Sequence, residues 1–204
     1  RPLNPYGAAS KSIDWASYSQ KFFSFFKESL LYIIEKNLAG IYFVEDFSTI
    51  ILRKILTPFS DGFVDLQSPA GIINGVVVYN YDGFVYASDE SRMLAEAGDF
   101  SFRLGPISAD YENLFYGEKA QKLSEIWCTE CIAGCSDCAY QQYCGADPVR
   151  NHTMQRDPYG FRPGSNLCLL HMQIIDFIFE LIITRKKEFL PIFQSWVSDN
   201  GGGK

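Results

Sequence analysis

The sequence predicts an α+β protein in which helices at both ends enclose a small β-hairpin and a cysteine-rich loop. Apolar and aromatic residues recur at helical period between Trp15 and Ile34. A turn-forming Asn80-Tyr81-Asp82-Gly83 joins two β-rich runs. Five of the six cysteines, Cys128, Cys131, Cys135, Cys138 and Cys144, share one short stretch, and Cys168 follows alone.

The opening "RPLNPYGAA" carries two prolines and a glycine and reads as a strand exit and loop. A long helix follows, with Ser12 as N-cap and Asp14 in its first turn. Trp15, Tyr18, Phe22, Phe25, Phe26, Leu30, Ile33 and Ile34 form its stripe up to about Asn37, and the stripe reads as packing rather than as a cofactor site. Asn37 and Gly40 end that helix, Ile41 to Val44 read as a short strand, and Asp46 to about Leu56 as a second helix. Proline, glycine, serine and aspartate mark Thr57 to Gly71 as a connecting loop.

Ile72 to Tyr79 and Phe84 to Ala87 are expected to pair, because an Asp-Gly corner supplies the positive φ that a tight hairpin needs. Short helices are predicted near Glu90 to Ala97, Ala109 to Phe115 and Glu118 to Trp127. In the cysteine loop that follows, backbone amides are expected to point at bound sulfurs. A last helix runs from about Asn166 to Lys187 with Cys168 in its first turn, where the helix N-terminus suits a thiolate. The apolar stretch Leu169 to Ile183 contains His171, Gln173, Asp176 and Glu180 and falls short of the roughly 20 residues of a membrane span. It is expected to be a core helix. The domain division expected is 1–57, 58–190 and a tail, 191–204.

With 204 residues and 47% hydrophobic content, the chain has the material for a real core. It begins with Arg rather than Met and is expected to be part of a longer protein. A net charge of −6 argues against nucleic acid and anionic membranes and favours a neutral or cationic partner. Disulfide frameworks usually staple much shorter chains than this. No G-x-S-x-G, P-loop or H-E-x-x-H occurs, and two histidines leave little for acid–base chemistry, so a hydrolase or transferase is a poor reading. Glu45-Asp46 and Asp89-Glu90 read as helix starts and solvated surface. Asn151-His152-Thr153 fits a glycosylation sequon, which means little in a reduced compartment.

Clustered thiolates select zinc, copper(I) or iron–sulfur centres. Three partitions of the cysteines compete. Cys131-x3-Cys135-x2-Cys138 has the spacing of the radical S-adenosylmethionine (SAM) cluster motif, but there the motif opens a barrel, which in full takes about 250 residues. Too little chain follows Cys138, and Asp137 stands where an aromatic is usual. Pairing Cys128-x2-Cys131 with Cys135-x2-Cys138 makes a zinc site whose knuckles are cramped against the usual spacing of about 15–20 residues. A mixed site through Cys168-x2-His171 is a variant, since i and i+3 share a helix face, although a packed helix residue is the plainer reading of His171. In the remaining partition Cys128 and Cys131 are surplus thiols beside the cage or additional ligands.

That partition, Cys135-x2-Cys138-x5-Cys144 closed by Cys168, resembles the second auxiliary cluster of the SPASM domain, an extension of radical SAM enzymes that modify peptides and proteins. The family's cysteines for a first auxiliary cluster are replaced here by Ser68, Ser88 and Pro148, so the first site looks dismantled and the second intact. "YNYDGFVYASDESRMLAEAGD" and "GCSDCAYQQYCGADPV" are similar to the His-Xaa-Ser system radical SAM maturases. The resemblance implies that residues 1–57 close a partial (βα) barrel with its last strand and helix. A SPASM-like cluster domain follows. It further implies a [4Fe–4S] cluster on Cys135, Cys138, Cys144 and Cys168, a cage in which aerobic preparation could leave zinc or an oxidised thiol pair instead. SAM and its own cluster would belong to a missing N-terminal part, and this fragment alone would not be catalytic. Four thiolates saturate a cubane, which leaves electron relay, a structural staple or substrate docking. The implied partner is a peptide or small protein, with a His-Xaa-Ser repeat protein as the named candidate, in the cytoplasm. The alternative is a zinc-stabilised peptide-binding module without redox chemistry.

Overall fold

Helix boundaries follow local capping chemistry. The computed structural model describes residues 2–59, 63 and 66–198. These fall into two compact units, Arg1–Pro2 with Asp14–Asp61 and Ser165–Lys204, and Leu3–Ile13 with Gly62–Gly164.

The first unit is helical. Helix α1 (Trp15–Leu38) starts at Asp14, whose carboxylate accepts from the Ala16 and Ser17 amides, so Asp14 is the N-cap rather than Ser12. Phe26, Leu30 and Ile34, four residues apart, form its buried face. Glu45 caps helix α2 (Asp46–Leu56) in the same way, through the Phe47 and Ser48 amides. Ile41 to Val44 form no strand: Ile41, Tyr42 and Phe43 are exposed, and the Asn37 side chain holds Phe43 by its N–H and its carbonyl. Helix α7 (Asn166–Thr184) packs against α1, and helix α8 (Lys186–Ser198) against α2. Phe23 of α1 meets Phe177 of α7 edge-on at 6.4 Å.

Two expectations at this end are corrected. Residues 191–198 are not a tail, because Phe189, Phe193 and Trp196 repeat at helical spacing and bury α8 through Pro191. The final helix ends at Thr184 rather than Lys187, and at 19 residues α7 is long and apolar enough to cross a membrane. Its Leu170, Ile174, Ile175, Phe177, Ile178 and Leu181 are buried, and a third of its most apolar window is buried in all.

The second unit is mixed α and β. Strands β1 (Val78–Tyr79), β2 (Phe84–Tyr86) and β3 (Arg103–Pro106) form an antiparallel sheet in the order β1-β2-β3. The hairpin forms as expected, though its strands are shorter, and of the Asp-Gly pair only Gly83 takes a positive φ. Strand β3 was not predicted. Helix α3 (Asp89–Glu96) starts at a capping box between Ser88 and Ser91, and helices α4 (Tyr111–Phe115) and α5 (Glu118–Ser124) are shorter than expected. Helix α6 (Pro148–Gln155), also unpredicted, uses Asp147 as N-cap and Pro148 in its first turn. Residues 2–13 contain no strand. A 3-10 turn, Ala8–Ser12, follows Tyr6, which enters a core with Ile72, Ala87, Leu94, Phe102, Leu123, Ile126 and Val149.

Candidate metal centre

The cysteine loop is built from successive three-residue turns, because each C-x2-C spacing matches one i to i+3 hydrogen bond. Cys131 N–H donates to the Cys128 carbonyl, Cys138 N–H to Cys135, Gln141 N–H to Cys138, and Cys144 N–H to Gln141. The amides of Cys131, Cys135, Cys138 and Cys144 are thus engaged by carbonyls of the loop itself. Gly134 makes the bend before Cys135 at φ +76°, and a Cβ there would lie 2.6 Å from Pro163. No other residue type fits that corner.

All six cysteines are thiols outside any disulfide. Cys135, Cys138 and Cys144 are half-buried on this run of turns. Beyond them, Arg162 is only 3% exposed, and its guanidinium donates to the Gly145 carbonyl and, at 3.8 Å, to Cys144 Sγ. Cys168 belongs to the first unit, in the first turn of α7, where its amide donates to the Ser165 cap and its sulfur lies 3.8 Å from Met172 Sδ. His171 is half-buried on the next turn of α7.

Cys128 and Cys131 face each other. Burial, and then the neighbouring Cys131 thiol and Glu130 carboxylate, push the Cys128 thiol above its usual range. Glu130 itself is held low by its own backbone amide and by Ser68. Among the described residues, no three His, Cys, Asp or Glu side chains converge where one metal ion would sit. A preassembled zinc site, which needs its thiolates about 2.3 Å from a single point, is therefore not seen. The soft all-sulfur donor set and the buried cation on Cys144 suit a thiolate-held anionic group.

The three positions that look dismantled each have a structural role. Ser68 Oγ accepts from the Thr129 amide and donates to Glu130 at 2.8 Å. Ser88 is fully buried and caps α3. Pro148 opens α6.

Sequence reasoning missed two features. His152 Nε2 lies 2.9 Å from Asp99 Oδ2, and the imidazole edge packs on Phe102, tying α6 to the turn after α3. Burial alone would raise the Asp99 carboxyl, but Ser101 and His152 outweigh it and hold it below its ordinary value. A separation of 53 residues leaves no local signal for that pair. The other feature is Arg162, which nothing in "FRPG" marks as buried. Asn151, the sequon residue, is itself buried and donates to the Pro158 and Tyr159 carbonyls, so it is no glycan acceptor in this fold.

No protein-family model and no curated protein matches the chain. The fold is similar to part of a solved structure, a histidine-tagged anSMEcpe with bound AdoMet, with a TM-score of 0.62. The likeness covers 89% of this chain and 45% of that one at 15% identity, so the chain spans about half the length of the protein it matches, and what the two share is fold.

Proposed function

We propose that this chain is the auxiliary-cluster part of a radical SAM enzyme that modifies a ribosomally made peptide or small protein. The observation that carries the reading is the Cys135-x2-Cys138-x5-Cys144 run lying on a fold similar to part of an AdoMet-bound protein. Cys135, Cys138, Cys144 and Cys168 are the ligands that the resemblance implies for a [4Fe–4S] cluster. When bound, such a cluster supplies one-electron transfer or a structural staple, and four thiolates leave no iron corner open to substrate. This chain's own contribution is to hold three of those thiolates on rigid turns, with Arg162 offsetting their charge.

SAM and the cluster that cleaves it belong to another part of the enzyme in this reading. A closing segment of a partial barrel at 1–57, a SPASM-like domain at 58–190, a His-Xaa-Ser repeat protein as substrate, and a cytoplasmic setting are parts of the same proposal. Cys128 and Cys131 are bystanders, engaged with each other, and His171 is a packed helix residue.

Substitution tests the ligand set. On anaerobically prepared protein, Cys138→Ser is expected to abolish iron and acid-labile sulfide, whereas Cys131→Ser leaves both near wild-type content. Equal loss in the two variants would overturn the assignment.

A further inference from the structure

Among the described residues, Arg162 is a buried cation with no acidic partner. None of the ion pairs there includes it, and its hydrogen bonds go to the Gly145 carbonyl and Cys144 Sγ. A guanidinium keeps its charge at every pH where the protein is folded, and burying that charge without compensation is costly. Of the two groups it touches, only the Cys144 sulfur can carry negative charge. The arrangement is fixed from behind. Asn151 of α6 binds the Pro158 and Tyr159 carbonyls, Gln155 accepts from the Phe161 amide and donates to its carbonyl, and Pro163 closes on Gly134.

We propose that Arg162 is a positioning residue for the cluster, donating to the Cys144 corner and setting its reduction potential through a fixed positive charge. This rests on the cluster reading given under Proposed function. Hydrogen bonding to sulfur and net charge are two of the levers that set such potentials. Reduction adds one negative charge to the centre, so a fixed cation favours the reduced state and raises the potential. A planar fork suits the place better than an ammonium, since one N–H reaches Gly145 while another reaches the sulfur.

The test is a dithionite titration of the full, reconstituted chain, following the visible charge-transfer band in wild type, Arg162→Met, Arg162→Gln and Arg162→Lys. Arg162→Met is expected to shift the one-electron equilibrium about tenfold toward the oxidised form, equivalent to about 59 mV. Arg162→Lys, which keeps the charge, should stay within about threefold of wild type. If Arg162→Met cannot hold a cluster, the Lys and Gln variants decide, with Lys expected to have the higher potential. Equal potentials in charged and neutral variants that hold a full cluster would overturn the inference and leave the cluster reading standing. A wild-type chain with no iron or sulfide would overturn the cluster reading, and this inference with it.

Discussion

Asp147 links the cysteine loop to the core behind it, and removing its carboxylate has a cost that can be worked from its partners. It lies three residues after Cys144 and caps α6 by accepting from the Arg150 amide at 2.9 Å. It also accepts from the Tyr6 hydroxyl, 141 residues away and 2% exposed, at 3.3 Å. Losing an N-cap costs about 1 kcal/mol. Losing the Tyr6 hydrogen bond costs about 0.5–1.5 kcal/mol, and its length places it at the low end. Asp147→Ala should therefore destabilise the protein by about 1.5–2 kcal/mol. Tyr6→Phe, which removes only the hydroxyl, should cost about 0.5–1 kcal/mol. Urea denaturation at pH 7 followed by far-UV circular dichroism measures both, and the double variant gives the coupling. An Asp147→Ala loss below about 0.5 kcal/mol, or strict additivity of the two substitutions, would refute the claim that this carboxylate joins cap and core.

Three further outcomes are expected. Trp196→Ala empties a fully buried site on α8, and urea denaturation should show a loss of about 3–5 kcal/mol; a loss near zero would make residues 191–198 a dispensable end. Burial and the Asp82 hydrogen bond push the Tyr86 phenol up to about 12, so its stabilisation is complete below pH 10 and is lost as pH rises from 10 toward 12. Stability measured across that window should fall in wild type and fall less in Tyr86→Phe. Ser88→Ala removes the cap of α3 and should cost about 1–2 kcal/mol by thermal denaturation, unlike a substitution at a vacant ligand position.

Much of the frame was legible because local chemistry specifies it. The Phe26, Leu30 and Ile34 face of α1, the helix start at Glu45 and the Gly83 corner all act within a few residues of themselves, whereas the cap of α1 falls at Asp14 rather than Ser12. Strand β3 was hidden because Gly105 and Pro106 depress strand propensity, and what holds Arg103–Pro106 extended is pairing with β2. Helix α6 did carry a signal, an Asp147-Pro148 start, which the nearby cysteines masked as loop. Helix α8 runs through Pro191 because Phe189, Phe193 and Trp196 are buried at helical spacing. At the candidate centre, the resemblance singles out Cys135, Cys138, Cys144 and Cys168, and the successive turns that carry the first three emerge only in the structure. Arg162, the Tyr6–Asp147 bond and the Asp99–His152 pair depend on which distant segments meet, and no local pattern encodes that.

The central claim is that the cysteines hold an iron–sulfur cluster. The most direct test is the iron, zinc and acid-labile sulfide content of the anaerobically prepared chain, read with its visible spectrum. The account predicts about four irons and four sulfides per chain with a brown charge-transfer absorption. One zinc and no sulfide, persisting after attempted reconstitution, would contradict it and make the chain a zinc-stabilised binding module.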